Sequence, residues 1–228
     1  GKGFDYATPV DFTAKNAKNV SVMVGQSLSI GTAHSTYAAI GTLLGAVSKA
    51  PVNVNIAWVA QYNLLGGSLA VPALKGVSVK TISDSDLEAL STNGAIMLMT
   101  HVGMSGIYLN DSYTCTDATS DYAYIENNRT IDKAVRLIRT ALLPRLNSPV
   151  MVDPDSGQLS PEVVKSYEAE GRRALEETLK NREVSSIDIL VDPEQDILST
   201  SELQVQFAIV PTGTARKISV TIGFSNPF

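Results

Sequence analysis

The sequence predicts a mixed α/β (α+β) fold, a mixed sheet with flanking helices and a terminal strand at the C-terminus. Three observations carry that expectation. Stretches 19–25 and 218–224 alternate apolar and polar residues with period two, as half-buried strands require. Stretch 95–101 is continuously apolar and of strand length, which predicts a strand buried on both faces. Other stretches carry apolar residues at helical spacing, and in the second half two of them precede three strand-like runs.

Taken in order, residues 1–18 are polar and aperiodic and are read as an irregular lead-in. Residues 19–115 form an upstream α/β region. Its first strand, 19–25, is rich in β-branched residues and ends at Gly25. A helix is expected over 35–48, with Leu43, Leu44 and Val47 on one face and Pro51 as its stop. Gly41 and Gly45, four apart on it, are expected in the core. Residues 52–59, carrying Trp58, read as strand or turn. Ser83 is a candidate N-cap with Asp84 and Asp86 in the first turn, Leu87 and Leu90 inward, and Asn93-Gly94 as the stop. Stretch 107–110 is the expected partner of strand 95–101.

The polar, Ser/Thr-rich stretch 110–121 is expected to be a linker or long surface loop. A C-terminal region follows over 120–228. A long helix over 121–146 is expected to turn Tyr124, Ile131, Val135, Ile138 and Leu142 inward and Arg129, Lys133 and Arg136 outward. After a turn over 153–157, Ser160-Pro161-Glu162 opens a second helix with Val163, Tyr167, Gly171, Ala174 and Thr178 inward. Strands are expected over 187–191, 203–210 and 218–224.

Composition narrows the function. A chain of 228 residues with 44% hydrophobic and 18% charged residues can bury real cores. The net charge of −5 argues against a nucleic-acid partner. Apolar runs fall well short of the roughly 20 residues a membrane helix needs, so no membrane insertion is expected. No basic n-region with an apolar h-region opens the chain, which predicts no secretion. Gly1-Lys2-Gly3 without an initiator Met fits a processed product or a piece of a longer protein. One cysteine, Cys115, excludes an internal disulfide.

Catalytic patterns are weak. His34, His101 and Cys115 have no metal-ligand spacing, so no metal or other cofactor is expected. Gly103-Met104-Ser105-Gly106 lacks the closing glycine of a nucleophile elbow. Asp153-x-Asp155-x-Gly157 starts like a calcium loop, but Val164 stands where its bidentate Glu belongs. The run Asp192-Pro193-Glu194-Gln195-Asp196 reads as a turn, with three acids that could make a weak cation site. An enzyme reading would need His101 with a carboxylate such as Asp111, as in a small hydrolase or transferase. The one-signed stripe Arg129/Lys133/Arg136 suits docking to an acidic protein surface, which a monomeric adaptor could also use.

The segments Asn127-Asn-Arg-Thr-Ile-Asp-Lys-Ala-Val-Arg136, Leu159-Ser-Pro-Glu-Val-Val164, Val184-Ser-Ser-Ile-Asp-Ile-Leu-Val-Asp-Pro-Glu-Gln-Asp-Ile-Leu198 and Val210-Pro-Thr-Gly-Thr-Ala-Arg-Lys-Ile-Ser-Val-Thr-Ile-Gly223 stand in a telling order. Together they resemble contractile tail sheath proteins of bacteriophages and related contractile injection systems. The resemblance implies a tail-sheath-like core and a non-enzymatic subunit. Such a subunit polymerises helically around an inner tail tube protein, and contraction drives that tube through a target envelope. It implies a virion tail or bacterial cytoplasm as location. Carried onto this chain, Ile218, Val220, Ile222 and Phe224 would form the strand exchanged between subunits, and Arg129, Lys133 and Arg136 would meet the tube or a neighbouring subunit.

Overall fold

The computed structural model describes residues 7–66 and 69–223. In the first half the elements are β1 (Val22–Met23), β2 (Gln26–Ser27), α1 (Leu28–Ala33), α2 (Ile40–Lys49), β3 (Pro72–Leu74), β4 (Val77–Ser78), α3 (Asp84–Thr92), β5 (Ala95–Ile96), β6 (Leu98–Met99) and β7 (Tyr108–Leu109). The second half holds α4 (Ile125–Leu142), α5 (Pro161–Lys180), β8 (Val184–Val191), α6 (Ile197–Thr200) and β9 (Val205–Pro211). This is the α+β arrangement that the sequence predicts.

The apolar run at 95–99 is the spine of the first half. β5 pairs in parallel with β1, and β6 pairs antiparallel with β7. Because successive side chains point to opposite faces, Ile96 and Leu98 pack with Leu43, Ala46 and Ile56 on the α2 side. Ala95 and Met97 pack with Leu74, Ile82 and Leu90 on the α3 side. Both faces are covered, which is why the run carries no polar residue. The strand breaks at Met97, whose N–H donates to the Asn110 side chain at 2.8 Å. β3 and β4 form a hairpin whose turn residues, Lys75 and Gly76, both have positive φ, as a tight two-residue turn demands.

Helix α3 starts and stops where its caps dictate. Ser83 Oγ accepts the Asp86 N–H at 3.2 Å, and Asn93 ends the helix before Gly94 at φ +78°. By contrast, the Ser160 side chain makes no capping bond at the start of α5. There Pro161 is the first helical residue, where its missing N–H costs nothing.

In the second half α4 and α5 pack on one face of the antiparallel β8–β9 pair. β8 buries Val184, Ile187, Ile189 and Val191 and exposes Ser185, Ser186, Asp188 and Leu190, with a bulge between Val184 and Ser186. Gly171 lets α5 lie close to this sheet, since a Cβ there would stand 2.9 Å from Ile189 Cδ1.

Several expectations need correction. The helix expected over 35–48 begins only at Ile40, and an unpredicted α1 precedes it. Gly41 and Gly45 are not in the core: both are exposed, with open space where a Cβ would sit. Of the strand or turn expected over 52–59, the turn is what forms, with Trp58 51% exposed.

The stretch 110–121, expected as a linker or surface loop, is exposed only at 117–119 and at Asp121. Asp111, Ser112, Thr114, Cys115 and Thr116 are buried, and bridges tie Cys115 to Ala17 and Tyr113 to Tyr124. On α4 Ile138 is buried as expected and Leu142 packs in the same core, but Val135 is exposed, and the rest of the buried face is Glu126, Asn128, Thr130 and Ala134. The final strand does not form within the chain alone: residues 217–223 have no regular structure, and Phe224 lies outside the described residues.

Candidate assembly site

Two features face outward with unsatisfied apolar surface. Along the C-terminal arm Ile218, Val220 and Ile222 are 81%, 75% and 89% exposed. Alternation without a partner sheet leaves such a segment neither buried nor hydrogen-bonded. Nearby, β9 has a strand neighbour on one side only. Its inward residues Val205, Phe207 and Ile209 are half-covered, whereas their partners Val191, Ile189 and Ile187 on β8, the other edge of the same two-stranded sheet, are buried.

The basic stripe is divided. Arg129 donates Nη2 to Ala50 O at 2.9 Å and Nη1 to Pro51 O at 3.3 Å, joining α4 to the end of α2. Burial beside these carbonyls pulls its pKa below the ordinary arginine value. Lys133 pairs with Glu183 at 2.6 Å. Arg136 is exposed, and among the described residues its guanidinium has no hydrogen-bond or ionic partner. Of the three, it is the one whose head is free for another molecule.

The junction between the halves is polar and closed. Asp111 follows β7, and Glu126 sits in the first turn of α4. Arg216, on the chain leaving β9, bridges them: its Nε lies 3.1 Å from Asp111 Oδ2 and its Nη2 bonds Glu126 Oε1. Asp111 Oδ1 also accepts from Asn55 Nδ2 at 2.7 Å and from Ser112 N at 2.8 Å, and Ser112 Oγ bonds Glu126. The guanidinium lies 3.4 Å over the Tyr124 ring. Burial pushes the Glu126 carboxyl above the usual range, partly offset by Ser112 and Arg216. Asn53 adds a second tie, donating to Arg182 O at 3.1 Å and to Thr212 Oγ1 at 3.3 Å. The sequence reading missed Arg216, Glu126 and Asn53, whose partners lie far away in the chain.

A cavity of about 690 Å³ opens beside this junction, lined among others by Trp58, His101, Met104, Asp111, Arg216 and Ile218. It joins His101 to Asp111, as the hydrolase reading requires. Both oxygens of Asp111 are nevertheless taken up by Arg216, and the His101 ring packs on Tyr108 with centroids 5.3 Å apart. Among the described residues no group of three or more His, Cys, Asp or Glu side chains could hold a metal, and no helix is long and apolar enough to cross a membrane.

Comparison with known proteins adds to this geometry. The N-terminal domain of DUF2586 matches residues 5–113, and its C-terminal domain matches residues 121–228. The chain belongs to the DUF2586 family. No curated protein matches this DUF2586 chain. Solved structures share its fold, two of them from contractile particles. One is a chain of the anti-feeding prophage (AFP) baseplate, with a TM-score of 0.56 and 17% identity over 81% of this chain and 48% of that one. Another belongs to the PVC sheath complex of an extracellular contractile injection system in its contracted state, with a TM-score of 0.55 and 13% identity over 80% and 49%. The DUF2586 chain thus spans about half the length of each.

Proposed function

We propose that this DUF2586 protein is a structural, non-enzymatic subunit of a contractile injection particle. In this reading it is a sheath subunit that polymerises around an inner tube protein and contracts to drive the tube onward. The observation that carries the reading is the arm with Ile218, Val220 and Ile222 exposed in alternation, on a chain whose β9 edge leaves Val205, Phe207 and Ile209 half-covered. Strand addition satisfies both at once: the arm of one copy, continued by Phe224, pairs with the β9 edge of the next. Its backbone gains a hydrogen-bonded ladder and its apolar face gains cover. The flexible link lets subunits turn without separating, as a contracting array needs. The fold likeness to an AFP baseplate chain and to a PVC sheath complex supports a place in such a particle. Arg136 is the candidate contact to the tube or a neighbour, with Arg129 and Lys133 behind it.

Negative-stain electron microscopy of the full-length protein tests this. Striated tubes are expected, and deletion of 218–228 should abolish them while leaving a folded chain. Tubes that survive the deletion would refute strand exchange. The baseplate likeness favours a second reading, in which the protein forms one fixed layer; discrete rings instead of tubes would support it.

A further inference from the structure

The arm has a root, and the root is tied. After Pro211 the chain crosses the junction over 212–216 without regular secondary structure. Among the described residues two polar side-chain contacts hold this strap: Thr212 Oγ1 to Asn53, and Arg216 to Asp111 and Glu126. The Arg216 side chain is 27% exposed, against 8% for Asp111 and 3% for Glu126. An external group thus reaches into a buried one. We propose that Asp111, Glu126 and Tyr124 form a guanidinium socket that latches the root of the C-terminal arm to the junction of the two halves, through Asp111 on the N-terminal side and the start of α4 on the other.

The chemistry of the socket fits that cation. Two buried carboxylates this close repel one another, and burying either unpaired is costly, so the pocket needs a cation. A planar fork can bond one carboxylate through Nε and the other through Nη2 while its flat face rests on the Tyr124 ring. A lysine ammonium can meet one of these three demands fully, not all of them. Asn55 and Ser112, both on the N-terminal side, hold the Asp111 carboxylate from behind, and Ser112 also reaches across to Glu126 in the first turn of α4.

The latch decides where the arm begins. Without it the arm would swing from Pro211, at the end of β9. With it, residues 217–223 leave from the junction, and a pull along the arm is delivered to Asp111 and to the first turn of α4. The latch itself is a property of the isolated chain; its consequence for assembly rests on the strand-exchange reading.

The test needs no filament. The protein has a single tryptophan, Trp58, which lines the same cavity as the strap and Ile218. Acrylamide quenching of Trp58 and the mobility of a nitroxide on Thr214→Cys, read by electron paramagnetic resonance, therefore both report strap release. In the full chain, Arg216→Gln and Asp111→Asn are expected to sharpen the spectrum of that label and to increase quenching, with a label on the exposed face of α5 unchanged, because a charge-assisted bond is lost. Arg216→Lys should fall between these and the parent. Unchanged label mobility and quenching in Arg216→Gln would overturn the latch, and Arg216→Lys behaving as the parent would overturn the guanidinium socket. Should Asp111→Asn fail to fold, Arg216→Gln, which lies on exposed backbone, decides the matter alone.

Discussion

Alanine at Arg129, at Lys133 and at Arg136, one at a time, should give three different results, although the three form one basic stripe in the sequence. Arg129 donates two hydrogen bonds to Ala50 O and Pro51 O, and Ala50 caps the C-terminal end of α2, where a cation also meets the helix dipole. Hydrogen bonds from a charged group contribute about 1.5–3 kcal/mol, and the dipole roughly 0.3–1 kcal/mol. The freed carbonyls regain some water, so Arg129→Ala should cost about 2 kcal/mol. The Lys133–Glu183 pair is partly exposed, with side chains 29% and 14% accessible. Lys133→Ala should therefore cost about 1 kcal/mol, the upper end for such pairs. Arg136→Ala should stay within about 0.5 kcal/mol of the parent. Urea unfolding at neutral pH measures all three, with an unchanged m-value as the control that the unfolded state is the same. In the same series only Arg136→Ala should impair assembly without impairing stability. An Arg129→Ala chain as stable as the parent would refute the inter-half bridge, and an Arg136→Ala chain that assembles normally would refute the docking role.

Other expectations follow from packing and titration. At Gly25 an added Cβ would lie 2.6 Å from the Leu98 backbone nitrogen, which cannot step aside, so Gly25→Ala should cost about 3 kcal/mol and lower the melting temperature. Leu175, fully buried between α4, α5 and β8, should lose about 2–5 kcal/mol on Leu175→Ala, read by urea titration. Stability against pH should have two opposed limbs. Glu126, raised chiefly by burial, binds its proton more readily folded than unfolded, so its contribution is present at low pH and is lost as pH rises above the usual glutamate range. Glu126→Gln should flatten that limb. Asp117 and Asp11 are lowered mainly by bonds from Thr119 and Thr13, so their contribution is present above the usual aspartate range and is lost as pH falls through their depressed values. Asp117→Asn should weaken the acid limb.

Where local chemistry decides the structure, the sequence was readable. The Ser83 cap, the Asn93-Gly94 stop and the fully apolar run at 95–99 each follow from neighbours a few residues away. The junction was not readable, because its polarity is satisfied from afar. Ser112 and Glu126 look solvated in sequence, yet both are buried and bonded to each other, and Glu126 pairs with Arg216, 90 residues further along the chain. On α4 Glu126 and Thr130 are buried, while Val135 is exposed and Ile131 only partly covered. Gly41 and Gly45 look like core packing residues, but small size also suits an open face, and spacing alone cannot separate the two. At 218–224 alternation predicts a strand without naming the sheet it joins.

One side chain holds two sheets in step. Asn110 donates from Nδ2 to Ala95 O at 3.0 Å and accepts the Met97 N–H on Oδ1, while its own backbone N–H donates to Met97 O at 3.1 Å. Strands of two residues hold their alignment poorly, since sliding by two keeps every side chain on its proper face. Here such a slide would tear Asn110 from both peptides at once. The amide acts as a pawl on a ratchet: β7 cannot advance along the run 95–99 unless that one residue lets go. Aspartate has no proton to offer Ala95, and glutamine is a carbon too long. The alignment of β7 on that run therefore hangs on an asparagine that packs like a short strand of its own.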